Sequence, residues 1–418
     1  MREVTLGRII KRGRKATVYN ATLGIQNDID PIDYVVKCPS SSAIDPTVDA
    51  VDITEVLYPP TELNEANINH IAREFYIQQK IATRVSGSHD NFVPIIGFRY
   101  VKTAEGFMPS AIMHKYPLLL DFIPKILSLR SNPERQRIYL HVLSSILRDF
   151  NNVLIRLKNM EYVHGDLTPQ NIAVDSNRCR LRIFDFGAAK HTSEFANRFE
   201  EPVGTPYYMA PEAINSRNEY STQRDMYSFG KILQQFLGMD ITNGDDETQW
   251  CIRTSELLEA ALDANAYGIS SDTFDHHLDH HTEKWTKNIR ESKSIEEYIG
   301  LIAEEMTTIN PRRRLTINGF HSAVKILLSH LVPLTPVENS EFCDFYAGKL
   351  ELPAIELPRA AAAGGNMQPL DPNIERRLAG IKVRRKGGPR FSFSPSAVEN
   401  NTPPGGAEYN ASPMPFSA

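Results

Sequence analysis

The stretch 162–187, YVHGDLTPQNIAVDSNRCRLRIFDFG, constrains the fold more than any other part of this chain. It spaces an aspartate (Asp166), an asparagine five residues on (Asn171) and a second aspartate fourteen residues later (Asp185) between short apolar runs. Val163 leads into the first aspartate, residues 172–174 follow the asparagine, and residues 181–184 lead into the second aspartate. Short β-like runs broken by polar loops predict two small strands that carry these groups to one edge of a cleft. Two carboxylates and an amide there could position Mg²⁺ on a polyphosphate and receive a proton from an attacking hydroxyl.

Composition bounds the surroundings only loosely. With 418 residues, 41% hydrophobic and 23% charged, the chain is long enough for two packed lobes and a tail and ordinary for a globular protein. A net charge of −5 argues neither for nor against nucleic acid, and no direct nucleic-acid partner is expected. Cys38, Cys179, Cys251 and Cys343 are scattered, with no CxxC and no metal-ligand spacing, which fits a reduced intracellular setting. The opening MREVTLGRIIKRGRK lacks the apolar core of a signal peptide. No apolar run approaches the ~20 residues that span a bilayer. A soluble cytoplasmic protein without a membrane span is expected.

Residues 133–160 give the clearest helix. Tyr139, Val142, Leu143, Ile146, Leu147, Phe150, Val153, Leu154 and Leu157 recur at i, i+3, i+4, so one wide face is buried. Pro133 suits the first turn, with Asn132 or Ser131 as cap. The helix runs straight into residues 162–164 and gives the loop of Asp166 a rigid support. His164 reads as a packed structural histidine.

HGDLTPQN followed by Asp185-Phe186-Gly187 resembles the catalytic and metal-binding loops of the protein-kinase superfamily, HRD-x-x-x-x-N and DFG. The resemblance implies an α+β, bilobal protein-kinase-like fold. A small antiparallel β-sheet lobe with one main helix covers about residues 1–115, and a larger mostly α-helical lobe covers about 116–333. A disordered tail is expected over 334–418. The resemblance also implies ATP and Mg²⁺ as cofactors and a protein serine or threonine as acceptor. Asp166 would be the base for the acceptor hydroxyl, and Asn171 and Asp185 the metal ligands. Gly187 would let the chain turn away after the second ligand.

Residues 4–6, 9–10, 17–19 and 34–36 alternate like strands of an antiparallel sheet, and 89–101 and 109–117 read as two more. Met113 or His114 would border an adenine pocket. The tip from Lys11 to Val18 stands where kinases carry G-x-G-x-x-G-x-V over the ATP phosphates; Gly13 remains, while Lys11 and Ala16 replace the outer glycines. Tyr34-Val35-Val36-Lys37 resembles the VAIK strand. On this likeness Ile10, Gly13, Val18 and Val35 surround the nucleotide and Lys37 reaches its α- and β-phosphates. Glu74, on a helix at about 67–84, would pair with Lys37.

Two departures stand inside the loop. Gly165 replaces the arginine that in related kinases pairs with a phosphorylated activation loop, so activity is expected not to require that phosphorylation. Thr168 replaces a lysine on the γ-phosphate; a lost charge-assisted bond is worth about 1.5–3 kcal/mol, or roughly 10–150-fold in rate. Lys11, Arg12, Arg14 and Lys15 are candidates to compensate.

HGDLTPQN also resembles the loop of aminoglycoside and choline phosphotransferases. Residues 203–212, VGTPYYMAPE, resemble instead the GT-x-x-Y-x-APE segment of serine/threonine protein kinases, which small-molecule phosphotransferases lack. In that family Thr205 contacts the catalytic loop and Glu212 pairs with a distant arginine, for which Arg314 in NPRRRL is the candidate. Residues 221–230 resemble the start of the buried central helix whose aspartate, Asp225, braces the catalytic loop. Thr222 and Asp225 also fit a capping box. Helical patterns return at Ile295–Met306 and 317–328.

Three segments stay open. Residues 39–65 carry six acidic side chains and no Lys or Arg, as a solvated loop or a docking insert. Residues 239–296 read as a long polar connection, in which His277 and His281 could share a helix face and bind metal or simply be solvated. Residues 351–418 hold 10 of the 27 prolines and few large aliphatics, a composition that cannot bury a core. The basic cluster from Arg376 to Arg390 suggests an acidic partner or import receptor, hence nuclear entry. Ser394, Thr402 and Ser412 precede prolines. The leading expectation is an active serine/threonine protein kinase. Its rivals are a nucleotide-binding pseudokinase scaffold and a small-molecule phosphotransferase.

Overall fold

The computed structural model of the protein describes residues 4–12, 16–23, 34–39, 53–54, 66–83, 91–103, 106–195, 204–214, 222–263 and 278–353. All fall in one unit, Met1–Leu378. Gly13, nearly all of the acidic 39–65 segment, residues 196–203, His277 and the tail from 354 onward lie outside the described residues.

The N-terminal alternation yields β1 (Val4–Arg12), β2 (Ala16–Leu23), β3 (Tyr34–Pro39), β4 (Ile53–Thr54), β5 (Ile95–Thr103) and β6 (Gly106–His114). They form one antiparallel sheet in the order β1-β2-β3-β6-β5-β4. The period of two sorts β3 between the two faces. Tyr34, Val36 and Cys38 pack with Tyr19, Ala21 and Ile112 on one face. Val35 belongs to the other, with Ala111, Met113 and Ile95. Helix α1 (Ala66–Thr83) covers this second face through Phe75. Lys37, two residues past Val35, therefore points under α1.

The remaining elements are mostly helical. They are α2 (Ile123–Arg130), α3 (Gln136–Asn159), α4 (Pro211–Ile214), α5 (Gln223–Phe236), α6 (Glu247–Asp263), α7 (Leu278–Glu291), α8 (Ile295–Met306), α9 (Ile317–His330) and α10 (Pro336–Tyr346). Two small ribbons join them: β7 (Tyr162–Val163) with β10 (Lys190–His191), and β8 (Ile172–Asp175) with β9 (Arg180–Ile183). Helix α3 buries the apolar stripe read from its sequence, and Phe150 stacks on Phe229 of α5 at 3.9 Å. Its entry is a 3₁₀ turn over Pro133–Arg135, capped by the Asn132 side chain on the Glu134 amide at 3.0 Å. Ser131 instead closes α2 by donating to the Leu127 carbonyl.

Two expectations change. The polar connection over 239–296 contains α6 and α7, anchored by Trp250, Cys251, Leu258 and Trp285, each no more than 2% exposed. The body also does not stop at 333. A capping box of Thr335 and Glu338 starts α10, and Phe345 and Tyr346 are buried against Phe122 and Ser145. Among the described residues, no helix is long and apolar enough to cross a membrane.

Candidate active site

The β8–β9 ribbon sets the two metal-ligand candidates side by side. Ile172 pairs with Ile183, and the Phe184 amide donates to the Asn171 carbonyl at 3.2 Å, so Asn171 and Asp185 leave the same end. Asp185 sits in the left-handed region, at φ 65° and ψ 71°, a strained setting for a non-glycine that is found at functional sites. Lys37 reaches it from the sheet: Nζ donates to Asp185 Oδ1 at 3.0 Å and to Glu74 Oε1 at 2.6 Å. Burial alone would lower the Lys37 pKa, but the two carboxylates outweigh it and raise it. Burial would likewise raise Asp185, yet Lys37 above all, with His164 and Lys11, holds it below the usual carboxylate range. Gly187 does not need unusual torsion angles. A Cβ there would stand 3.3 Å from both Glu74 Oε2 and Asp185 Oδ1, so the glycine provides room for close approach.

Asp166 is held on both carboxylate oxygens. Thr205 Oγ1 donates to Oδ1 at 2.7 Å, and Asn171 Nδ2 donates to Oδ2 at 3.2 Å and to the Asp166 carbonyl at 2.8 Å. Burial raises the Asp166 pKa; the Thr205 bond opposes this and the Asp185 charge adds to it. The side-chain oxygen of Asn171 accepts none of these bonds. With Asp185 it forms a pair of hard oxygen donors of the kind Mg²⁺ takes.

The loop is fixed from below. Asp225 of α5 accepts from the His164 amide at 2.8 Å and from the Gly165 amide at 2.9 Å. Burial pushes its pKa up to about 6, partly offset by those two bonds. Thr222 has helical torsion angles and makes no side-chain cap, so bracing rather than capping is the role Asp225 fills. His164 is fully buried, and burial pushes its pKa down to about 4. Its Nε2 lies 3.1 Å from the Phe184 carbonyl, and Nδ1 accepts from the Asp166 amide at 3.4 Å, which assigns the proton to Nε2.

An apolar patch adjoins Lys37. Ala111, Met113 and Ala173 are buried together, with Ala16, Val35, Tyr116 and Phe184 packed on them. Val18 pairs with Lys37 across β2 and β3. Ile10 is 48% exposed, opposite in phase to Ile9, which packs on the other face. Met113 therefore joins the patch, whereas His114 stacks on Tyr34 with ring centroids 5.1 Å apart.

The 204–214 segment is locked by Arg314. Its Nη1 and Nη2 donate to Glu212 at 2.7 and 2.9 Å, and its remaining N–H groups reach the carbonyls of Gln223, Thr308 and Ile309. Arg312 and Arg313 are exposed. Thr168 is 3% exposed. Among the described residues no group of three or more His, Cys, Asp or Glu is set to hold a metal; His277 is outside them and the His281 side chain is not described.

Two supports were not foreseen. Arg182 forms a buried pair with Asp175 at 2.7 Å and donates to the Phe92 carbonyl, bracing the ribbon beneath Asn171. Gln78 is a buried amide on the apolar side of α1. Both carried a signal: opposite charges in one predicted hairpin, and a polar residue interrupting an apolar stripe.

A family model described as the protein kinase domain matches residues 60–326. Over 195 residues the chain is 27% identical to a probable serine/threonine-protein kinase of Dictyostelium discoideum, covering 45% of this chain and 13% of that protein. Over 194 residues it is 28% identical to a mitogen-activated protein kinase homolog of Nicotiana tabacum, covering 44% and 52%. A mitogen-activated protein kinase of Wallemia muriae is 31% identical over 204 residues, covering 46% and 68%. The chain thus spans about half or less of the first two relatives.

Proposed function

Because this chain belongs to the protein kinase family, we propose that it transfers the γ-phosphate of Mg-ATP to serine or threonine hydroxyls of proteins. The observation that carries this reading is the Lys37 ammonium held between Glu74 and Asp185 beside Asp166. Held there, it can bind phosphate oxygens as a fixed cation with no reorganisation at the moment of reaction. Bound Mg²⁺ on Asn171 and Asp185 would supply charge neutralisation on the phosphates. Asp166 is oriented by Thr205 and Asn171, so one of its oxygens can take the proton of an attacking hydroxyl. The apolar patch around Val35, Met113 and Ala173 suits a flat purine, with Ile10 and Val18 as further walls.

A protein acceptor, rather than a small molecule, is favoured by the 204–214 segment. Its buried Glu212–Arg314 pair and the Thr205 bond to Asp166 make a fixed platform next to the base. The names of the relatives, one a probable serine/threonine-protein kinase and two mitogen-activated protein kinases, agree with a protein acceptor. Independence from activation-loop phosphorylation is supported by Gly165, which offers no guanidinium. Its loop is braced instead by Asp225.

A nucleotide-binding scaffold is the second reading, favoured by buried Thr168 standing where a γ-phosphate lysine is usual. Transfer of labelled phosphate from Mg-ATP to generic protein substrates separates the two. Transfer abolished by Asp166→Asn supports the kinase; tight ATP binding with equal background transfer in both chains supports the scaffold.

A further inference from the structure

Gln78 lies one helical turn past Glu74 on α1 and is 1% exposed. Its Nε2 donates to the Val93 carbonyl at 2.9 Å and to the Met113 sulfur at 3.3 Å. A carbonyl only accepts, so the amide nitrogen and not its oxygen must face Val93. Val93 is also tied on its other side: its N–H donates to the Ile183 carbonyl at 2.9 Å, and the Ile183 N–H donates to the Asn91 carbonyl at 2.8 Å. Ile183 ends β9, two residues before Asp185.

These bonds close a ring. It runs from Glu74 along one turn of α1 to Gln78, then through Val93 and Ile183 to Asp185, and back through Lys37. Both partners of Gln78, Val93 and Met113, belong to the apolar cluster that also holds Phe75 and Ile95. Displacing α1 would therefore leave the amide and the Val93 carbonyl without these partners, inside a patch that offers few others.

We propose that Gln78 is a positioning residue acting through Glu74. Its amide fixes α1 to Val93, which is itself bonded to the strand that leads into Asp185, and so keeps Lys37 between both carboxylates in the unphosphorylated chain. This rests on the phosphotransferase reading above.

The test is a double-mutant cycle on the phosphatase-treated full chain. Gln78→Met keeps the side chain's length and removes both donors; kcat/KM for Mg-ATP should fall about tenfold in a protein whose circular dichroism is unchanged. In the Glu74→Gln background the same substitution should cost less than about twofold, because the group it acts through is already gone. Additive losses, or a Gln78→Met chain as active as wild type, overturn the proposal. Gln78→Glu has the same shape and cannot donate when ionised. Its activity relative to wild type should rise as pH is lowered from about 8 to about 6, and a flat ratio counts against the role. Hydrogen exchange across residues 74–83 is a readout independent of transfer: about tenfold faster exchange in Gln78→Met is expected, and unchanged exchange overturns the assignment. Wild type transferring no more phosphate than Asp166→Asn would instead remove the phosphotransferase reading, leaving the exchange result to decide whether Gln78 anchors the helix.

Discussion

At the scale of single residues, Asp166 has the Thr205 hydroxyl on one oxygen and the Asn171 amide on the other. Both bonds favour the ionised form, against a burial that favours the neutral one. Removing the Thr205 donor should therefore raise the Asp166 pKa further. Thr205→Val is expected to shift the acid limb of the kcat profile to higher pH, while Thr205→Ser leaves it in place; a pH–rate series on the three chains checks this. Gly165 invites a second substitution. It sits at φ 79°, and a Cβ would meet the Ala188 carbonyl at 3.1 Å. Gly165→Arg should cost about 1–3 kcal/mol in a urea titration, because an L side chain is strained in that conformation.

At the scale of elements, the buried Arg314–Glu212 pair ties the turn before α9 to α4 at the end of the 204–214 segment, with all five guanidinium donors used. Arg314→Ala leaves a buried carboxylate without its cation and should lower unfolding free energy by about 3–5 kcal/mol, measured by denaturant unfolding. This tie and the Lys37–Glu74 pair were legible in the sequence, because each rests on charged residues inside spaced motifs. Strand alternation around Val35 and Lys37 and the stripe of α3 were legible through periodicity. Helices α6 and α7 were not. Their surfaces are polar, and the buried face of α6 includes Thr254 and Ser255 beside Trp250, Cys251 and Leu258, so its stripe is not apolar throughout. Gln78 is a different case: it interrupts the apolar stripe of α1, but a glutamine on a helix usually faces water, and its two acceptors come from elements distant in sequence.

At the scale of the molecule, α10 extends the packed body past 333. Composition hid this, because the proline-rich stretch beginning after it coloured the reading of the whole C-terminal region. Phe345 and Tyr346 are no more than 2% exposed, and burying two such side chains is worth about 3–6 kcal/mol together. A chain ending at 333 should lose stability of that order in thermal or denaturant unfolding, whereas one ending at 353 should match the full chain. The most direct measurement on the whole molecule is transfer of labelled γ-phosphate from Mg-ATP to a protein substrate by the phosphatase-treated chain, compared with Asp166→Asn. Transfer by the wild type, reduced by about 100-fold or more in Asp166→Asn, is the expected result. Equal transfer by both chains, with ATP still bound, would contradict it.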